Sequence, residues 1–494
     1  MVITQLGIVD MGVLILYAVI LIGMGIYFAK KSRTAEAFMV AGRSIPSWAA
    51  GLAVMSAYTS SISYIATPGK AYDENWHPLI FALTIFPIAW IVCRFVVPYY
   101  RETKIISVYA FLEERLGVWA RIYGGISFLL YEVGRLAVIL YLVGLLLSAF
   151  IPMSIVSLIV IIGVITIVYT LLGGMEAVIW TDVMQSAIMI AGILYCAMVL
   201  TLDTFSGPPH LIQAAFQERK FSLGAVDFTL YQRTIWVMIL YGVAENLRNL
   251  IGDQNYVQKY VSVATVSDAK RSIWIAMLIY IPLTAVFLYI GTTLYAFYSP
   301  GGAMLPDHIT KGDQVFPYFI VTQIPVGIRG LVIAAIVAAA MSTVDSSLNC
   351  AATISLLDYW KRYVNPSIGE DRSVLFLRGM TLFWGVLGII FAILMIQAQS
   401  ALDVWWEIAG IFGGGTLGLF MLALFRVPLR FRQGLLTIGI SIVIILWGTF
   451  MRNLPYSISF LECRIDPILT GMLGTMGMVI LALFFGLNNR RKLQ

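Results

Sequence analysis

Apolar runs long enough to cross a bilayer recur from one end of this chain to the other, and they limit its fold more than any motif does. About 20 apolar residues, wound as a helix, span a hydrocarbon core of roughly 30 Å. Lipid offers no partner to backbone N–H and C=O groups, so each run must satisfy its own hydrogen bonds. Only 12% of residues are charged and 60% are hydrophobic, whereas a soluble chain carries about a quarter charged residues. The fold class read from this is an all-α polytopic membrane protein.

The pattern predicts thirteen spans, near 7–29, 47–71, 78–99, 122–149, 154–172, 177–203, 233–252, 272–299, 328–358, 373–397, 403–425, 433–451 and 467–487. A net charge of +6 could suggest nucleic acid, but the placement of the charges argues against it. Basic residues gather in alternate connections: Lys30, Lys31 and Arg33; Arg101, Lys104, Arg115 and Arg121; Lys270 and Arg271; Lys361, Arg362 and Arg372; Arg426, Arg430 and Arg432; Arg490, Arg491 and Lys492. This is the positive-inside pattern. It implies lipid and not nucleic acid as the surrounding partner, in a multi-pass plasma (inner) membrane protein with its N-terminus outside and its C-terminus cytoplasmic. The first run lacks a basic leader and reads as a retained helix. Cys93, Cys196, Cys350 and Cys463 have no paired or metal-ligand spacing and read as packing residues. Short helices are expected at 101–120 on the inner side, and in the outer connections 204–232 and 300–327.

Two spans are poor helices for lipid. The second reads Ser56-Ala57-Tyr58-Thr59-Ser60-Ser61-Ile62-Ser63, and the seventh holds Gly242, Glu245, Asn246, Arg248, Asn249, Gly252, Asp253 and Gln254. Irregular backbone at membrane depth is tolerated only where protein buries it or a cavity borders it. Transporters place paired broken helices at matching positions of two repeats, with ion and substrate between them. The two spans are five apart, as in two inverted five-helix halves. The expected division is a peripheral first helix and inner loop (1–46), a first inverted repeat (47–204), an outer loop (205–232), a second inverted repeat (233–425), and two peripheral helices with a cytoplasmic tail (426–494).

Three polar groups carry candidate chemistry. In Ala338-Ala339-Ala340-Met341-Ser342-Thr343-Val344-Asp345-Ser346-Ser347-Leu348-Asn349, positions 342, 345, 346 and 349 share a helix face. Hydroxyl and carbonyl oxygens with so few carboxylates suit a monovalent cation, since a divalent ion wants more charge. The plainer reading, interhelical hydrogen bonding by Ser and Thr, fits a lone pair better than this run. Asp182, in Trp180-Thr181-Asp182, is either a buried functional carboxylate, costing at least ~2.5–3.5 kcal/mol to insert, or a helix cap. Glu132 and Arg135 are spaced to pair with each other; alternatively the planar fork of Arg135 grips a substrate carboxylate. No P-loop, nucleophile elbow or His/Cys metal cluster is found. His77, His210 and His308 fall in or beside outer connections. No catalytic residue is expected, so the energy source has to be an ion gradient.

Gly173-Gly174-Met175-Glu176-Ala177-Val178-Ile179-Trp180-Thr181-Asp182-Val183-Met184-Gln185 closely resembles the signature of the sodium:solute symporter family, which includes bacterial galactose, proline and sialic acid symporters and animal glucose and iodide transporters. Supporting matches are Ala41-Gly42-Arg43-Ser44-Ile45-Pro46-Ser47-Trp48, Asp253-Gln254 with Val257-Gln258-Lys259, and Ser342-Thr343. The resemblance implies a LeuT-type core of two inverted repeats working by alternating access, and Na+ as the coupled ion. The common sodium site would use carbonyls of Ser56, Thr59 and Ala339 with the hydroxyls of Ser342 and Thr343. The sialic acid branch's second sodium site would map to Asp182, Asp345 and Ser346. That branch carries serine at the position of Asp345, a departure that could tighten the site, make it proton-sensitive or change how it works.

For substrate, the resemblance implies Ser60, Ser63 and Arg135 from the sialic acid branch and Asn246 from the galactose branch. Ala82 stands where a Gln or Glu contacts sugar hydroxyls, and Leu278 is taken as the position of the galactose branch's lysine. A carboxylate-bearing solute is expected, sialic acid first, imported with sodium by a monomer. The alternatives are a neutral sugar, polyol or monocarboxylate symporter and, from another class, a transporter-like membrane sensor.

Overall fold

The computed structural model describes residues 6–148, 150–206, 210–299, 303–307, 309–397, 408–452 and 462–491. Among them there are helices and no strand; Ile45 and Val263 form an isolated parallel bridge. In chain order the helices are α1 (Ile8–Ala29), α2 (Ala35–Val40), α3 (Ser47–Tyr58), α4 (Ser61–Asp73), α5 (Pro78–Glu102), α6 (Val108–Leu116), α7 (Val118–Ser148), α8 (Ile155–Ser206), α9 (His210–Gln217), α10 (Ile235–Gly252), α11 (Gln254–Val261), α12 (Val266–Phe297), α13 (Gly312–Gln323), α14 (Ile328–Ile354), α15 (Glu370–Leu394), α16 (Gly414–Leu424), α17 (Phe431–Phe450) and α18 (Thr470–Arg491). The short helices expected in the connections are α6, α9 and α13.

Nine helices among the described residues are long and apolar enough to cross a membrane, against thirteen expected spans. The difference has physical causes. Two spans are joined as α8, which turns between them at Gly174, where the backbone leaves helical geometry. The second span is split into α3 and α4, each too short to cross alone. The seventh, α10, carries Glu245 and Arg248. The eleventh survives as a shorter apolar helix over Gly410–Leu424, and its expected first residues, 403–407, lie outside the described residues, as do His308 and Lys492 of the tail.

Burial follows side-chain size. α1 buries a single stripe of Tyr17, Leu21, Gly25 and Phe28, spaced by helical turns, and turns its other faces outward. α14 is enclosed on every side by α1, α3, α4, α7, α8 and α15, because its small residues from Ala334 to Ala340 let neighbouring backbones approach. Asp10 anchors α1 to it: its carboxylate accepts from Gly327 N (2.7 Å) and Gly330 N (2.9 Å) and pairs with Arg329 at 2.7 Å.

The motif Ala41-Gly42-Arg43 is a left-handed turn, with φ of 50°, 56° and 58°. It aims Arg43 at the carbonyls of Val261 (3.2 Å) and Lys104 (2.7 Å), which ties the chain entering α3 to the end of α11. α8 kinks at Gly174, where φ is 58° and ψ is −155°, a conformation essentially restricted to glycine. A Cβ there would meet Phe38 Cα at 3.0 Å. Gly174→Ala is expected to destabilise the fold by ~1–3 kcal/mol from backbone strain alone; a lowered unfolding temperature in detergent checks it.

Candidate ion and substrate site

The site is built where helices stop. α3 ends at Tyr58 and α4 begins at Ser61; between them Thr59 has φ −111° and ψ 89°. The last carbonyls of α3 therefore lack helical partners and present the negative end of its dipole. On the facing side α10 gives way to α11 at Asp253, whose side chain caps α11 by accepting from Asn255 N at 2.9 Å. Both expected breaks are present.

α14 runs between these breaks. The hydroxyls of Ser342 and Thr343 both donate to the Ala339 carbonyl, at 3.1 Å and 3.3 Å, so three of the five expected first-site residues meet on one turn. Ser56 and Thr59 lie on the last turn of α3 and at its end, and α3 packs against α14. Thr59 Oγ1 donates back to Met55 O at 3.3 Å, while Ser56 Oγ reaches Asp182 Oδ1 at 3.5 Å.

The signature segment of α8 fills the remaining side. Lys31 pairs with Glu176 at 2.8 Å, Trp180 meets Trp48 edge to face at 5.6 Å, and Gln185 Nε2 donates to Tyr17 Oη at 3.0 Å. Asp182 lies past the kink, fully buried, so it does not cap the helix. Its Oδ2 forms an ion pair with Lys259 Nζ at 2.8 Å, and the same ammonium donates to Ala53 O at 3.1 Å. Asp345, also fully buried, accepts from Tyr169 Oη at 2.8 Å and lies 3.3 Å from Thr181 Oγ1 and 3.2 Å from Ser346 Oγ. Asp182, Asp345 and Ser346 thus occupy one region, joined there by Lys259.

The substrate candidates divide. Arg135 Nη2 donates to Ala57 O at 3.4 Å, and Ser63 Oγ to Tyr58 O at 3.5 Å, so Arg135, Ser60 and Ser63 converge on the α3–α4 break. Tyr256 donates to the same Ala57 carbonyl at 3.1 Å, and the Tyr58 ring sits 4.5 Å from Tyr256 and 5.1 Å from Tyr280. Arg135 approaches Glu132 only at 3.7 Å, with no hydrogen bond between them; Glu132 instead accepts from Asn255 at 2.9 Å. Asn246 is turned toward α5, donating to Phe81 O and Thr84 Oγ1 at 3.0 Å and 3.1 Å; its Oδ1 has no hydrogen-bond partner. Leu278 is 63% exposed and faces away from the site. Lys259, Tyr169, Tyr58 and Tyr256 were not singled out from the sequence. Lys259, a cation inside a family motif, was the one detectable signal.

Paired broken helices around a polar core in an all-helical bundle define a multi-pass, ion-coupled secondary transporter of the LeuT type. The family model of the sodium:solute symporter family matches residues 38–437, and the chain belongs to that family. It is 30% identical over 463 residues to the sodium/sialic acid symporter NanT of Aliivibrio fischeri, covering 93% of this chain and 89% of that one. It is also 30% identical over 477 residues to the sodium/sialic acid symporter SiaT of Proteus mirabilis, covering 96% and 94%. A solved Na+-coupled sialic acid symporter superposes with a TM-score of 0.90 at 29% identity, over 97% of each chain.

Asp182→Asn would leave the Lys259 ammonium buried without its counter-charge, an expected loss of ~3–5 kcal/mol of stability. Adding Lys259→Met should restore most of that loss. Unfolding temperatures of the single and double variants in detergent check it.

Proposed function

We propose that this symporter carries a small organic acid with sodium, sialic acid being the first candidate. The observation that carries the proposal is the state of Arg135. An arginine buried in the bundle has five N–H donors to place, yet among the described residues this one makes a single 3.4 Å hydrogen bond and a loose 3.7 Å contact with Glu132. Its fork lies beside the α3–α4 break with Ser60 and Ser63, a fit for a carboxylate and adjoining hydroxyls. Asn246 belongs to this reading through its Oδ1, and the two 30% identical sialic acid symporters support it.

Sodium is assigned to the carbonyls of Ser56, Thr59 and Ala339 and the hydroxyls of Ser342 and Thr343, and a second cation to the cluster of Asp182, Asp345 and Ser346. The reading includes the inverted repeats at 47–204 and 233–425, a monomer in the plasma membrane, an external N-terminus and a cytoplasmic C-terminus; the basic connections support that orientation.

Two experiments test this. Ser342→Ala with Thr343→Ala should abolish most sodium-driven uptake into proteoliposomes while expression and unfolding temperature hold; unchanged sodium dependence would remove the first-site assignment. Arg135→Lys should weaken binding of the acid roughly ten- to a hundredfold, the equivalent of one charge-assisted hydrogen bond of ~1.5–3 kcal/mol, and lose most of the wild-type preference for the acid over its carboxamide. If wild type binds acid and amide equally, Arg135 is structural and the substrate is a neutral sugar or polyol.

A further inference from the structure

We infer that the second cation is held by Asp345, and that Asp182 is kept from it by a resident cation, the ammonium of Lys259. The inference rests on the sodium-coupled reading above and divides the work within its second cluster.

Asp182 and Lys259 are both fully buried and 2.8 Å apart. Among the described residues, the only hydrogen bond Lys259 makes besides this ion pair is with the Ala53 carbonyl. For sodium to take Asp182, the buried ammonium would have to lose its counter-charge, and a buried charge stripped of its partner is strongly disfavoured. Asp182 therefore already holds a cation, one covalently tied to α11.

Asp345 is in the opposite position. No lysine, arginine or histidine among the described residues forms an ion pair with it; Lys259 and Asp182 act on it only from a distance, and the groups in hydrogen-bond reach include three hydroxyls. Of these, Tyr169 donates to it at 2.8 Å. The other two have closer acceptors for their single protons. Thr181 Oγ1 lies 2.8 Å from Ala177 O and 2.9 Å from Val178 O, against 3.3 Å to Asp345. Ser346 Oγ lies 2.7 Å from Ser342 O, against 3.2 Å to Asp345 Oδ1. Each hydroxyl has one proton to share between a backbone carbonyl and the carboxylate, and the backbone contact is the shorter one, so these donors serve Asp345 only in part. A hard cation at the carboxylate supplies the rest. Gln185, one turn along α8 from Asp182 and bonded through Nε2 to Tyr17, adds a buried Oε1 with no hydrogen-bond partner; the Tyr17 phenol lies within electrostatic reach of both aspartates.

The charges agree with this assignment. Two carboxylates and one ammonium leave one negative charge, which a single monovalent ion neutralises; a divalent ion would want more carboxylates. Ser346 leans on the carbonyl of Ser342, whose hydroxyl belongs to the first site, so the two sites share one turn of α14 and sodium at either stiffens the other.

The test is equilibrium binding of 22Na+ to the purified full-length protein in detergent, which needs no substrate. Folding is monitored by gel-filtration profile and unfolding temperature. Wild type is expected to bind two ions. Asp345→Asn should lose one, and Asp345→Ser should do the same. The double variant Asp182→Asn/Lys259→Met, which removes a charge pair and leaves no stranded charge, should keep two. The inference is overturned if that double variant loses an ion while Asp345→Asn keeps both. It is also overturned if wild type binds one ion that Ser342→Ala with Thr343→Ala abolishes, a result that leaves sodium coupling intact. Wild type that binds no 22Na+ overturns the sodium-coupled reading and the inference together.

Discussion

A helix that stops inside a bilayer leaves carbonyls with no partner, and the rest of this molecule is arranged around two such stops. The end of α3 at Tyr58 and the change from α10 to α11 at Asp253 are tolerable only because other helices surround them. α14 can run between them because it is made of alanines where it is most crowded. The unpaired carbonyls need positive charge or donors, and the chain supplies some from within: Arg135 and Tyr256 both donate to Ala57. A transported cation is a further answer to the same need. Fold and ion binding are thus two consequences of one interruption in the backbone.

Two buried arginines show how the same side chain can be spent differently. Arg248 meets Glu245 through two nitrogens at 3.0 Å and 2.5 Å, Asn249 at 2.9 Å, and Asp253 and Tyr131 at 3.3 Å. Its donors are committed, and its work is to brace α10 beside the second break. Arg135, a short way across the bundle, has few partners among the described residues. Sequence treated both as intramembrane cations; only geometry separates a brace from a free hand.

Both breaks were legible in the sequence, because hydroxyls and glycines in an apolar run mark backbone that cannot stay helical in lipid. The Ser342–Asn349 face was legible too, since helical spacing alone aligns it. The turn at Gly173-Gly174 was legible as a break between two spans, and Gly174 leaves helical geometry there; what was not legible is that so little chain separates the two helices. Asp182 could have been a cap, because sequence does not say how far past the kink the membrane begins. The Asp182–Lys259 pair was invisible, since nothing local to either residue states that a side chain of α11 reaches one of α8. Tyr169, Tyr58 and Tyr256 were lost among 25 tyrosines. Leu278 faces outward, and residue number alone does not give the side of a helix on which a side chain lies.

The carboxylate of Asp10 gives α1 a mechanical role that its peripheral position hides. By accepting from Gly327 N, Gly330 N and Arg329 together, it fastens the outermost helix to the start of the innermost one. α1 is then a handle on α14. When α14, the helix proposed to carry ion ligands, shifts, α1 has to travel with it. The outward face of α1, with Val19 59% exposed, rides along in lipid. The bilayer therefore touches a lever connected to the proposed ion site, and the thickness or viscosity of the lipid around α1 becomes a quantity to which movement of α14 is mechanically coupled.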